Sequence, residues 1–87
     1  MEVARWLSAK QVTLVGADSF AVEVTGIDPD AAFRVHLHLI VRHGTFPHEN
    51  PNLAELAADQ VYRFAYVFVR VPFKGATGSP GSPIAIR

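Results

Sequence analysis

Histidine supplies the side chains best suited to chemistry in this chain. His36 and His38 lie two residues apart. On a strand, alternate residues share a face, so both imidazoles would point the same way, as metal ligands on a sheet must. His43 and His48 follow, and Glu49 offers an oxygen ligand. His43 has the opposite parity from His36 and His38 and would need a bulge to join them. Arg34 and Arg42 flank the pair, and their positive charge repels a cation. A solvated histidine pair is therefore the stronger reading, no metal ligand or cofactor is expected, and histidine metal binding stands third among the functional readings. Other chemistry is sparse. No cysteine is present, which removes disulfides, thiolate zinc sites and cysteine nucleophiles. No G-x-S-x-G elbow, H-E-x-x-H pair or Walker loop occurs. Lys74 precedes Gly75-Ala76-Thr77-Gly78, formally the G-x-x-G of nucleic-acid-clamping loops, but Pro80 and Pro83 follow where a helix is needed. Asp28 and Asp30 flank Pro29 and read as turn formers. The chain is expected not to be an enzyme.

Charge placement says more than charge total. Between residues 31 and 47 there are two arginines, three histidines and no acid. From residue 60 onward Arg63, Arg70, Lys74 and Arg87 again have no acidic companion. Arg34, His36, His38 and Arg42 would thus make a modestly basic sheet face suited to an anion, a nucleic acid or an acidic partner. Nucleic-acid binders carry a much larger basic excess, so this reading is the runner-up. Aromatic residues carry the leading one. Tyr62, Phe64, Tyr66 and Phe68 form a ring-rich stretch whose apolar surface faces more than one way. A small core covers one side only, and the remainder is expected to bind a second copy, a protein or an apolar peptide.

The elements that must position these residues follow from periodicity. In 33–43 the odd positions from Phe33 to Val41 are apolar and the even ones polar, with Ile40 the exception, which predicts a strand. Segments 11–16 and 19–26 alternate more briefly around a turn at 16–19, and 27–30 is a second turn. Residues 2–10 carry Val3, Trp6, Leu7 and Lys10 at helical spacing, too short a pattern to assign. Segment 52–71 fits a helix with the stripe Leu53, Leu56, Ala57, Val61, Phe64, Phe68 and Val71. Asn50-Pro51 and Asn52-x-x-Glu55 resemble start signals, Asp59 and Arg63 are an i, i+4 pair, and Pro72 ends the run. The rival is a short helix over 52–60 followed by a strand over 61–71, favoured by the β-branched and aromatic residues after position 61.

The expected fold is therefore α+β: an antiparallel meander of three to four strands packed by one long amphipathic helix. The alternative is a mostly-β sheet with a short helix. With 87 residues, 49% hydrophobic and 18% charged, the chain is expected to fold as a single domain over 1–87, with 74–83 a flexible Gly/Ser/Pro segment. Eight basic and eight acidic residues cancel, so self-association meets little electrostatic opposition. The longest apolar run, 64–69, is far short of the ~20 residues of a membrane helix, and no signal peptide is evident. A cytoplasmic homo-oligomer with no membrane partner is the expectation.

Alternating strands, then a long helix carrying Phe64-Ala65-Tyr66 and Arg70, then Gly81-Ser82-Pro83-Ile84 near the close, resemble the SecB-like export chaperones. That family has proline where Ala65 stands. The resemblance spans roughly 20–86 and implies a chaperone that oligomerises through its helix and binds non-native polypeptide on apolar surface. The expected function is a non-catalytic binding and assembly module of this kind.

Overall fold

Leu7, Ser8, Gln11 and Val12 set where the first helix stops. Helix α1 spans Glu2–Ala9, with Glu2 in the first turn where the helix dipole favours an acid. Gln11 then adopts a left-handed φ of 55°. Its amide bonds the Ser8 carbonyl at 2.9 Å, and the Val12 amide bonds that of Leu7 at 3.4 Å. These are the paired bonds of a Schellman ending, which satisfy carbonyls the helix would otherwise leave open. The chain leaves directly into strand β1, Leu14–Ala17.

The computed structural model describes residues 1–26 and 32–87, and these divide into the units Met1–Asn52 and Leu53–Arg87. The turn expected at 27–30, with Asp28 and Asp30, lies outside the described residues. In the first unit β1 is followed by a tight turn over Phe20–Val22, in which Ala21 and Val22 both have positive φ. A helical segment, α2, begins at Arg34–His36 and widens into a π-helix over Leu37–Arg42. Strand β2, Phe46–Glu49, then pairs parallel with β1, Leu14 opposite Phe46 and Ala17 opposite Glu49. A parallel pair needs a long crossover connection, and α2 lies within it.

Three expectations are corrected here. Segment 19–26 holds the tight turn at Phe20–Val22 and no strand, segment 33–43 is helical, and β1 pairs with β2 in parallel rather than within an antiparallel meander. The alternation breaks at Leu39-Ile40-Val41, an unbroken apolar run that a two-residue period does not account for. In the helix Leu39 is 1% exposed, while Ile40 and Val41 remain exposed. Leu39 packs in a core that otherwise holds only Ala4, Ala21 and the polar Thr45 among the described residues. The Thr45 hydroxyl donates to the Val12 carbonyl at 3.0 Å and its amide to that of Leu39 at 2.8 Å, so its burial leaves no polar group unmet.

The second unit repeats the ending of α1. Helix α3 covers only Ala54–Ala58. Gln60 is left-handed at φ 53°, its amide bonds the Ala57 carbonyl at 3.1 Å, and the Val61 amide bonds that of Leu56 at 2.9 Å. Leu7-Ser8-Ala9-Lys10-Gln11-Val12 and Leu56-Ala57-Ala58-Asp59-Gln60-Val61 thus share Leu-x-Ala-x-Gln-Val, a short repeat that ends a helix in both units. This ending overturns the long amphipathic helix over 52–71. The N-cap position falls on Leu53, not on an asparagine, and Asp59 pairs with Arg87 instead of Arg63. Beyond Val61 the β-branched and aromatic residues run extended. The order is that of the rival reading, short helix then strand, within narrower bounds.

Strand β3, Ala65–Val67, pairs antiparallel with β4, Ile84–Ile86, and a bridge between Arg70 and Gly81 continues the same register. The Gly/Ser/Pro segment 74–83 lies in the connection between the two strands. A Cβ at Gly81 would overlap the Phe68 ring, so glycine lets that ring lie against the backbone of the opposing strand. Overall the chain is mixed α and β, with small sheets of two strands each and more helix than strand among the described residues.

Candidate functional site

Glu23 and His36 are thirteen residues apart, and the left-handed pair Ala21 and Val22 turns the chain between β1 and Glu23. Glu23 accepts from the Val35 and His36 amides, both at 3.1 Å, and its Oε1 lies 2.6 Å from His36 Nδ1. It thereby caps α2 from a distance, meeting amides that no side chain within the helix satisfies. His36 Nε2 is 3.1 Å from Glu49 Oε1 at the end of β2, and the Phe33 ring meets the imidazole edge-on at 5.2 Å. A neutral imidazole carries one N–H, so both carboxylate contacts are hydrogen bonds only when the ring is an imidazolium. Burial alone pushes the Glu23 carboxyl up. The His36 hydrogen bond, the two backbone amides and the ring charge outweigh it, and the carboxyl sits below its ordinary value.

His38 leaves the helix on another side. Its Nε2 is 3.0 Å from Ser8 Oγ of α1, and its ring lies 4.5 Å from that of His43. The wide π-helical turn brings together residues five apart, and so joins a histidine of the opposite parity without a bulge. Desolvation, then the charges of His43, Arg42 and Arg5, lower the His38 pKa, while a hydrogen bond to the Ala4 backbone acts the other way.

The basic sheet face expected of Arg34, His36, His38 and Arg42 is not formed, because their segment is a helix. His36 is held by two carboxylates, while His38 lies by Ser8 and His43 and within the field of Arg42. His36 does not converge with the adjacent pair His38 and His43. Carboxylates lie on opposite edges of the His36 ring, and among the described residues no group of three or more His, Asp or Glu side chains is placed to hold a metal ion. Reading the sequence missed Glu23 and Ser8 as partners, because neither spacing nor pattern links them to the histidines.

Arg34 lines an apolar cleft of about 450 Å³ in the first unit, walled by Met1, Val3, Leu7, Val15 and Leu39. In the second unit the aromatic stretch is only partly covered. Tyr62 is 83% and Phe64 37% exposed, while Tyr66 and Phe68 are half-buried. The Phe64 and Tyr66 rings meet edge to face at 6.1 Å, and desolvation raises the Tyr66 phenol. Phe64, Tyr66 and Phe68 share strand parity and hence one side of the β3–β4 ladder. Among the described residues no helix is long and apolar enough to cross a membrane. No family model, curated protein or solved structure matches the chain.

Proposed function

We propose that this protein is a non-catalytic binding and assembly module whose apolar surface is completed by other polypeptide, with Tyr62, Phe64, Tyr66 and Phe68 as the principal contact residues. The exposed surface carries this reading. The chain exposes 7069 Å². A single folded body of 9.5 kDa is expected to expose about 5,000 Å², and two independent bodies of this chain's two units about 6,000 Å² together. Even the second comparison leaves an excess of about 1,000 Å². Much of the exposed area is hydrophobic: Trp6, Phe20, Val24, Tyr62, Val69 and Phe73 are each more than half exposed. Isolated exposed apolar residues are ordinary, whereas contiguous ones mark binding surface.

A SecB-like chaperone is the most specific form of the proposal. In the sequence that form leans on a helix through Phe64-Ala65-Tyr66, and with this stretch extended the reading rests on exposed rings rather than on helix pairing. The test is whether the protein in stoichiometric amount suppresses aggregation of a chemically denatured polypeptide on dilution. Suppression that is lost in Tyr62→Ser/Phe64→Ser supports the proposal. Aggregation unaffected by the parent overturns the binding reading.

A further inference from the structure

The β3–β4 ladder has two sides of different character. Ala65 lies opposite Ile86 and Val67 opposite Ile84, so these four share one side, while Tyr66 and Ala85 share the other. The Arg70–Gly81 bridge keeps the same register, which places Val69 on the side of Val67. The result is a largely aliphatic face of Ala65, Val67, Val69, Ile84 and Ile86, with Ser82 opposite Val69 and no charged member. Val67 is 45%, Ile84 56%, Ile86 56% and Val69 73% exposed. It is the reverse of the aromatic side, where Phe68 lies against Gly81.

We infer that this aliphatic face is the centre of a two-fold interface with a second copy of the chain. The inference rests on the proposed reading that polypeptide completes the apolar surface, and it supplies which polypeptide. Three observations select a second copy. First, an isolated two-stranded sheet is marginal in water, and no residue of Leu53–Arg87 is buried. Two such ladders stacked face to face, at the ~10 Å spacing of packed sheets, make a four-stranded sandwich with an interior. Secondly, the chain as a whole exposes about 1,000 Å² more than two independent bodies would, room enough for the ~800 Å² per partner of a standard stable interface, and this face is part of that exposed area. Thirdly, the patch holds aliphatic side chains and, at its edge, the uncharged Ser82, so it offers nothing to a charged partner, and it can meet itself under two-fold rotation. The net charge of zero leaves no long-range repulsion between copies.

Sedimentation equilibrium of the full chain, from low micromolar to sub-millimolar concentration, tests this. The expected mass is about 19 kDa, twice the 9.5 kDa of the chain. Ile84→Asp and Val69→Asp are each expected to sediment as monomers, and Ile84→Thr to weaken the dimer by about tenfold or more. Val24→Asp, which places the same charge at an exposed valine of the first unit, is expected to leave the dimer intact. Ile84→Thr keeps a β-branched residue in the strand, so it reads the interface even where an aspartate variant fails to fold. A parent that stays monomeric throughout overturns the inference. So does a dimer that Ile84→Thr and Val69→Asp weaken no more than Val24→Asp. Aggregation suppression is measured separately. A monomer that still holds denatured polypeptide removes the interface and keeps the binding reading, and a dimer that holds none does the reverse.

Discussion

At the scale of single residues, Glu23 makes the connections that matter most in the first unit. One carboxylate caps α2 through two amides and holds the Nδ1 side of His36, while Glu49 of β2 takes the other side of the ring. The Glu23 side chain is 7% exposed, so replacing it leaves donors short of an acceptor where water reaches poorly. Hydrogen bonds to a charged group contribute about 1.5–3 kcal/mol, and Glu23→Gln is expected to lose a large part of that at neutral pH. The pH dependence has a definite sign. The folded carboxyl sits below its ordinary value of 4.5, so its contribution is full above that value. It is lost as pH falls from there through the folded value. Urea unfolding of parent and variant should therefore differ clearly at neutral pH and converge in acid below 4.5. A gap that stays constant into acid would show that the carboxylate charge is not what stabilises the contact.

At the scale of elements, two glutamines decide more than the apolar patterns do. Gln11 and Gln60 hold left-handed φ values just after α1 and α3 and end both helices with the same pair of backbone bonds. A side chain in this conformation costs roughly 1–2 kcal/mol, a cost that glycine avoids. Gln11→Gly and Gln60→Gly are each expected to stabilise their helix ending by about 1 kcal/mol, read as a higher urea midpoint with an unchanged denaturant slope. A lower midpoint would mean that the glutamine side chains themselves hold these endings. These positions also explain what was and was not legible in the sequence. The helical spacing of Val3, Trp6, Leu7 and Lys10 was visible, and so was the helix-then-strand alternative for 52–71. The stop after α3 was obscured because glutamine replaces the usual glycine or asparagine signal, and only comparison with the first ending reveals the shared Leu-x-Ala-x-Gln-Val. The alternation of 33–43 pointed to a strand because Arg34, His36, His38 and Arg42 all fall on even positions. Ile40 broke that pattern, and in the helix Leu39 is the one buried residue of the segment. The ring-rich stretch from Tyr62 to Phe68 was visible in the sequence, whereas the aliphatic face depends on the register of β3 with β4, which no local pattern carries.

At the scale of the whole molecule, full burial is sparse among the described residues. Among the described residues the buried apolar side chains are two alanines and Leu39. Complete burial of a large apolar side chain contributes about 1.5–3 kcal/mol, and a domain needs a net margin of ~5 kcal/mol or more after conformational entropy is offset. Partly covered side chains add to the total, and the exposed aliphatic side of the β3–β4 ladder is the contact proposed for a second copy. If a second copy makes that contact, folding and association are one equilibrium, and stability depends on protein concentration. Each tenfold rise in concentration then adds about 1.4 kcal/mol per dimer to the free energy of unfolding, so a hundredfold rise adds about 2.8 kcal/mol. The urea midpoint of the parent should climb accordingly across a dilution series followed by far-ultraviolet circular dichroism. The midpoint of Ile84→Thr should be lower at every concentration, because a weaker association lowers the stability of the folded dimer. A parent midpoint that does not move over a hundredfold dilution would show that the chain folds alone, and would count against any account in which a second copy completes its core.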